Sequence, residues 1–185
     1  MRRALVLLAA LMLIGLALLS PARASASTPD CFSVDFQQTC VLPADDDFTT
    51  TGLCAFPVEV HVRGYTRFRF VFANDGTNNL VSRTLQSHQR ATIVNPVTGR
   101  FFTDGSDFTA HETFLPDGSF EARSTGLFHN ARMDDGRLLF HQSGSHSALV
   151  SPDDETIPGT DVFRGNFESE AAFPGTVCPL LAQAR

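Results

Sequence analysis

Apolar and polar residues alternate with a period of two through most of the chain, and short glycine-containing breaks interrupt the alternation. Val58, Val60 and Val62 are separated by single residues, as are Phe68 and Phe70 further along. Successive side chains of a β-strand point to opposite faces, so each of these sets lies on one face of a strand. Beyond the amino-terminal apolar segment, no stretch has the 3.6-residue periodicity of an amphipathic helix. The chain is therefore predicted to be all-β with antiparallel strands.

The breaks have the composition of tight turns. Glycine tolerates the positive φ that hairpin turns require, and aspartate accepts hydrogen bonds from its own backbone. Pro116-Asp117-Gly118 is the clearest break, and it predicts a hairpin between strands at residues 108–115 and 119–127. The other breaks are Gly64, Asp75-Gly76, Thr98-Gly99, Asp104-Gly105, Asp135-Gly136, Ser143-Gly144 and Pro158-Gly159.

About eight strands fit between these turns, and we expect a single antiparallel barrel at residues 54–185, because closure removes exposed strand edges. Consecutive hairpins suit an up-and-down barrel, and an immunoglobulin sandwich is not supported because the chain has no tryptophan. Residues 27–53 lack sustained alternation and are predicted to be an irregular lead-in. A short helical turn is predicted at residues 178–183, with Pro179 in its first position.

Residues 1–26 have the composition of an export signal. Arg2 and Arg3 precede an apolar run at residues 4–19, and Ala24-Ser25-Ala26 provides a small-residue cleavage site. The run is shorter than the about 20 residues that cross a bilayer as a helix. We therefore expect cleavage and a secreted, extracellular protein without a membrane anchor.

Four cysteines follow the leader, an even number that favours two disulfides in an oxidising compartment. Three pairings are possible. We favour Cys31 with Cys40, which closes a short loop in the lead-in, and Cys54 with Cys178, which joins the start of the sheet to the end of the chain.

Acidic residues outnumber basic residues. The chain has 14 basic residues, all of them arginine, against 20 acidic residues, and its formal net charge is −6. Because an acidic chain with scattered arginines repels phosphate groups, nucleic acid is not an expected partner.

Four motifs resemble those of small secreted actinobacterial β-barrel proteins of uncharacterised function. They are Cys54-Ala55-Phe56-Pro57-Val58, Asn95-Pro96-Val97-Thr98-Gly99, Pro116-Asp117-Gly118-Ser119 and the late Cys178. The resemblance covers about residues 54–178 and implies no catalytic residues. Lipocalins are similar only at the level of the fold, because their Gly-x-Trp signature cannot occur in a chain without tryptophan.

The chain has 17 phenylalanines and one tyrosine. Phenylalanine provides large apolar area without a polar group, which suits either a filled barrel interior or a cavity for an apolar ligand. An eight-stranded barrel has the size at which both outcomes occur. The residues that would line such a cavity are Phe68, Phe70, Phe72, Phe108, Phe114, Phe120 and Phe140.

Glu112 is the only candidate for catalytic chemistry. Its position in the alternation matches Phe108 and Phe114, which directs its carboxylate toward the apolar interior. A buried carboxylate is costly unless it is paired or protonated, and such groups often lie in functional sites. Arg83 and Arg123 are its possible partners. The alternative, a local bulge that leaves Glu112 exposed, is the more frequent outcome for such a residue.

The six histidines do not have the spacing of a metal site, because the chain contains neither His-x-His nor His-Glu-x-x-His. His61 and His111 are expected on the strand faces opposite the aromatic residues, and the histidines are interpreted as solvated strand residues. No glycine loop followed by lysine is present to hold a phosphate. We predict no metal site and no cofactor.

Three functions are compatible with these features. The leading hypothesis is a secreted, non-catalytic β-barrel that binds a small apolar ligand. The first alternative is a barrel cyclase or isomerase that uses an interior acid such as Glu112 to move a proton. The second is a surface-interaction protein whose interior is filled.

Overall fold

The structure is a computed structural model that describes residues 29–167 and 173–184. Its strands form one antiparallel sheet of eight strands in chain order. They are β1 (Asp30–Val34), β2 (Gln37–Thr50), β3 (Val58–Phe72), β4 (Leu80–Val94), β5 (Phe101–Phe114), β6 (Phe120–Met133), β7 (Leu138–Val150) and β8 (Val162–Asn166). In the described part a helix, α1 (Phe173–Leu181), follows β8. The prediction of an all-β fold with eight antiparallel strands is confirmed.

The sheet is not closed, so the predicted barrel is not confirmed. Within the described residues, β1 pairs only with β2, and β8 pairs only with β7. Both of these rim strands have 5 residues, whereas the strands between them have 13 to 15. The fold is an open eight-stranded meander.

Alternation along β3 defines the two faces of the sheet. Val58, Val60 and Val62 are buried, whereas Glu59 and Arg63 between and beside them are exposed, as the period of two predicts. We call the face that carries these valines the inner face and the opposite face the outer face. Cross-strand pairing extends the inner face through residues that are also buried, namely Ile93 of β4, Phe102 of β5 and Met133 of β6.

The predicted hairpin at Pro116-Asp117-Gly118 is confirmed. Phe114 pairs with Phe120 across the turn, and Gly118 has a φ of 86°. The Oδ1 atom of Asp117 accepts hydrogen bonds from the backbone N–H of Ser119 at 3.0 Å and from its hydroxyl at 2.6 Å. Both hydrogen bonds lower the pKa of Asp117, and the bond from the Ser119 hydroxyl has the larger effect.

The described part of residues 27–53 is not an irregular lead-in, and that prediction is wrong. β1 and β2 occupy most of it, and β2 pairs with β3 along its whole length. Alternation is hard to recognise because the outward positions hold Asp45 and Asp47, which form ion pairs with Arg63 of β3. Complementary charge across the two strands therefore replaces the apolar pattern that marks the other strands.

Both predicted disulfides are present. Cys31 and Cys40 face each other directly across β1 and β2, with Cα atoms 4.1 Å apart. Cys54 and Cys178 join the loop before β3 to α1 over a sequence separation of 124 residues. Two disulfides indicate that the protein folds in an oxidising, non-cytoplasmic compartment.

The helix packs on the inner face at the end where β3 begins. Val177 and Leu181 are fully buried there, in one cluster with the valines of β3. The carbonyl oxygen of Leu181 accepts hydrogen bonds from Nδ2 of Asn95 at 3.0 Å and from Oγ1 of Thr98 at 2.6 Å. Both donors belong to the turn between β4 and β5, so the helix is fixed to the sheet by polar as well as apolar contacts.

The helix differs from the predicted helical turn. It begins at Phe173 rather than at Cys178, and Pro179 lies near its end rather than in its first position. Pro174, its second residue, is the signal that should have marked the start, because proline fits the first turn of a helix without losing a hydrogen bond.

Glycine allows neighbouring strands of the sheet to approach closely. Gly144 of β7 has a φ of 142°, and a Cβ atom there would overlap the carbonyl oxygen of Arg164 in β8. Gly126 of β6 pairs with Gly144, has a φ of 135°, and would clash in the same way with β5. Such glycines are sites at which a sheet bends.

The predicted export signal at residues 1–26 lies outside the described residues. In the described part of the chain, no helix is both long enough and apolar enough to cross a membrane.

Candidate functional site

The two halves of the inner face differ in burial. Near the start of β3, α1 covers the inner face, and the side chains beneath it form the hydrophobic core. Toward the end of β3, inner-face side chains are mostly only partly buried. We call this second region the open half, and its residues on β3, β4, β5 and β6 are Phe68, Phe70, Phe72, Arg83, Leu85, Phe108, Ala110, Glu112, Phe114 and Ala122.

The seven phenylalanines predicted to line a cavity do not all lie together. Phe140 belongs to the covered core, where its ring centroid is 5.1 Å from that of Phe173. Phe120 is buried, and its ring centroid is 5.3 Å from that of Phe114. The remaining five side chains, all partly buried on the open half, are Phe68, Phe70, Phe72, Phe108 and Phe114.

An additional aromatic cluster joins β5, β6, β7 and β8. The ring centroid of Phe128 lies 5.3 Å from that of Phe108 and 5.5 Å from that of Phe167. The ring centroid of Phe167 is 5.1 Å from that of Phe163. The ring of Phe163 stacks on that of His146, with centroids 4.4 Å apart. Sequence alternation missed Phe128 because the pairing of β6 with β7 shifts register between Leu127 and His129, which breaks the period of two.

Glu112 lies on the inner face, in an ion pair with Arg83. The Nε atom of Arg83 is 2.6 Å from Oε2 of Glu112, and the two residues face each other across β4 and β5. The carboxylate side chain is only 13% exposed. The bulge that would expose Glu112 is absent, because the register of β5 with β6 is unbroken from Asp107 to Phe114. Arg123, the other possible partner, pairs with His111 on the outer face.

The ion pair between Arg83 and Glu112 is surrounded by apolar side chains. Its cross-strand and same-face neighbours include Phe70, Ala122 and Phe114. Each charge balances the other, which reduces the cost of holding them away from water. The guanidinium retains N–H donors and the carboxylate retains lone pairs, so the pair can hydrogen-bond one polar group of a molecule bound on the open half.

A second polar pair, Asp104 and His129, lies at the boundary of the covered core. Nδ1 of His129 is 2.7 Å from Oδ2 of Asp104, and the backbone N–H of Asn130 donates to Oδ1 of Asp104 at 2.9 Å. The imidazole ring also lies against Phe140, with centroids 5.8 Å apart. Sequence reasoning missed the pair because the pairing of β5 with β6 shifts register between Thr103 and Asp107, next to Asp104.

The interpretation of the histidines as solvated strand residues is only partly correct. His61 and His111 lie on the outer face, as predicted from the alternation. His146, however, is only 13% exposed on the inner face, where its Nε2 atom is 3.0 Å from Oδ1 of Asp161. Among residues 29–167 and 173–184, no three histidine, cysteine, aspartate or glutamate side chains are placed to hold a metal ion.

Comparison of the chain with known proteins gives no relative: no family model, no curated protein and no solved structure matches it. The resemblance to small secreted actinobacterial proteins therefore stays a prediction, and any function has to be argued from the geometry of this chain.

Proposed function

We propose that this protein is a secreted, non-catalytic binder of a small, largely apolar ligand, which it holds on the open half of the inner face. The observation that carries the proposal is the contrast in burial along β3. Its first three inner valines are buried beneath α1, whereas Phe68, Phe70 and Phe72 on the same face are only partly buried. Apolar area left accessible on a concave surface is a common property of ligand sites.

The proposal includes a barrel-like curl of the sheet around this half. The bends at Gly126 and Gly144 support it, because they allow the strands on one side of the sheet to turn toward the other. The contacts of α1 also support a curled sheet, because this one helix touches strands on both sides of the sheet. Phe173 contacts β5 and β7, and Cys178 is bonded to the loop before β3. A curled sheet would surround a ligand with phenylalanine side chains from several strands.

Arg83 and Glu112 define the polar end of the expected ligand. A hydrocarbon or aromatic molecule with one hydroxyl or carbonyl group could place that group at the ion pair and the rest of its surface against the phenylalanines. A purely ionic molecule would leave those side chains without an apolar partner. The favoured ligand class is therefore apolar with a single neutral polar group.

Binding of the neutral fluorophore N-phenyl-1-naphthylamine tests this proposal. The wild-type protein is expected to bind the probe with increased fluorescence, and Phe70→Ala should weaken binding at least fivefold because it removes the central ring of the open half. Phe36→Ala is the matched control, since it deletes an exposed phenylalanine from the β1–β2 turn. Equal binding by both variants, or no binding by the wild type, would contradict the proposal and favour a surface-interaction protein.

The cyclase or isomerase alternative is supported by one observation, the position of Glu112 beside Arg83 within the apolar surface. Mass spectrometry of small molecules that co-purify with the exported protein provides its test. The enzyme alternative would be correct if the wild-type protein converts a co-purified ligand to a product, and if the Glu112→Gln variant binds the same ligand without converting it.

A further inference from the structure

The outer face carries a groove of about 450 Å³ across β1, β2, β3 and β4. Its walls include Phe32 of β1, Val41 of β2 and the side chains of Arg67 and Arg69 of β3. Thr39 and Thr84 contribute hydroxyl groups. These residues point away from the open half, so the groove is separate from the ligand site proposed above.

The two arginines of the groove lack acidic partners. Arg67 makes no hydrogen bond or ion pair within the described residues, and Arg69 donates only to the neutral Oε1 atom of Gln37, at 2.7 Å and 3.2 Å. Arg63 on the same face is different, because Asp45 and Asp47 form ion pairs with it.

Two unbalanced guanidinium groups next to each other form an anion-binding surface in a chain whose overall charge is negative. Arg67 and Arg69 are two residues apart on one strand face, so their side chains lie side by side. Asp30, the acidic residue of β1, lies opposite Val41, which separates it from Arg67 on β3. In the described part of the chain, Asp30 forms no ion pair with either arginine. Guanidinium groups bind carboxylates through two parallel hydrogen bonds, which makes a carboxylate a suitable ligand.

Phe32 gives the groove an apolar wall. Phe32 lies on an edge strand of only 5 residues, and it is 58% exposed. The Cys31–Cys40 disulfide bonds its neighbour in sequence to β2, and Phe32 itself pairs with Thr39. A short edge strand is marginally stable alone, so the disulfide keeps the phenylalanine beside the arginines.

We propose that this groove binds a small organic carboxylate, whose anionic group lies between Arg67 and Arg69 and whose hydrocarbon part lies against Phe32 and Val41. The cation pair selects the charge of the ligand, and the apolar wall selects against bare inorganic anions. A groove of this volume accommodates a molecule of about the size of a phenylalkanoate.

Titration of the protein with 3-phenylpropionate, followed by two-dimensional ¹H–¹⁵N NMR and by calorimetry, tests the proposal. Amide shifts are expected at Phe32, Thr39 and Thr84. Arg67→Gln should weaken binding at least tenfold. Arg90→Gln is the matched control, because Arg90 is another outer-face arginine without an ion pair in the described residues, and it should change the affinity less than twofold.

Three results would overturn the proposal. Equal losses in R67Q and R90Q would mean that only long-range charge attracts the anion. Equal amide shifts at Phe32, Thr39 and Thr84 with the neutral analogue 3-phenylpropanol would exclude recognition of the carboxylate in the groove, and equal shifts there with acetate would exclude a role of Phe32. Phe70→Ala should leave 3-phenylpropionate binding unchanged, so failure of this site and failure of the inner-face site are distinguishable. Unchanged melting temperatures of R67Q and R90Q establish that both variants fold.

Discussion

Asp47 connects the polar strand β2 to β3 by hydrogen bonds that depend on its charge. Arg63 donates to its carboxylate at 3.1 Å and His61 lies 2.8 Å from it. The hydrogen bond from Arg63, followed by that from His61, lowers the pKa of Asp47 from 3.8 to about 2. A carboxyl group with a lowered pKa in the folded state stabilises the fold above its ordinary pKa, and this contribution is lost as pH falls through the folded value.

The pH dependence of stability of Asp47→Asn tests this linkage. The melting temperature of the variant should differ most from that of wild type above pH 4, and the difference should disappear as pH falls to about 2. Circular dichroism melts at several pH values measure it. Asp153→Asn serves as the control, because Asp153 is an exposed turn residue without an ion pair in the described part. A difference for D47N that stays constant with pH would show that the carboxylate does not act through its charge.

Gly144 is one of several strand glycines at which the backbone tolerates no side chain. Its φ of 142° disfavours L-residues, and a Cβ atom would overlap the backbone of β8. Gly144→Ala is expected to lower the free energy of unfolding by about 3 kcal/mol, the upper end of the range for a strained backbone position.

Gly105→Ala is the matched control for this strain. Gly105 also lies in a strand, yet no atom lies within 4 Å of a Cβ atom built there. Its substitution should change stability by less than about 1 kcal/mol. Urea denaturation of both variants compares the two positions, and equal losses would mean that close strand approach is not the cause.

At the level of single residues, alternation indicated an inner-face position for Glu112 and named Arg83 as a possible partner, but exposure of Glu112 by a bulge was the more frequent expectation, and that expectation is wrong. Alternation was insufficient for Asp104 and His129, which lie beside a register shift in the pairing of β5 with β6. A register shift depends on the pairing of strands, and a period of two in one strand carries no information about its neighbour.

Among the elements, α1 depends most on a covalent bond. The Cys54–Cys178 disulfide closes 124 residues, and in the chain-entropy model its removal costs about 4 to 5 kcal/mol. Replacement of both cysteines by serine should lower the free energy of unfolding by about this amount and expose Val177 and Leu181. Urea denaturation monitored by circular dichroism measures the loss.

The Cys31–Cys40 disulfide is the internal comparison. It closes 9 residues, for which the same model predicts about 2 to 3 kcal/mol, and it holds only a rim strand. The corresponding double-serine variant should be less destabilised than the variant without Cys54–Cys178. The opposite order would mean that β1 contributes more to the fold than α1.

The elements after residue 54 were largely predictable because glycine turns mark their ends and buried side chains mark their faces. β2 was not predictable in this way. The outward aspartates of β2 are compatible with a strand because Arg63 of β3 lies opposite them. This can be recognised only when the pairing of β2 with β3 is known. The helix is longer than predicted because Pro174, and not Pro179, lies in its first turn.

On the scale of the whole molecule, the hydrophobic core cluster lies at one end of the sheet, and at the other end burial is confined mainly to β6 and β7, at Phe120, Ala148 and Val150. The buried core lies beneath α1, whereas the open half contains partly buried side chains. Native-state hydrogen exchange should therefore be at least tenfold slower for the amides of Val60 and Ile93 than for those of Phe70 and Arg83 in the same two strands. Uniform protection along β3 and β4 would contradict this division.

The acidic triplet of β2 has a consequence for molecules that meet in solution. β1 extends along β2 only as far as Val41, so residues 42–50 form part of the margin of the sheet as far as the described residues show. Such a margin can recruit a strand from another copy and start aggregation. Pro43 lacks an amide hydrogen there, and the Asp45-Asp46-Asp47 cluster, whose charge Arg63 offsets only in part, would meet the same acidic cluster on a second copy. We expect repulsion between the two clusters to disfavour the addition of a second copy at this margin.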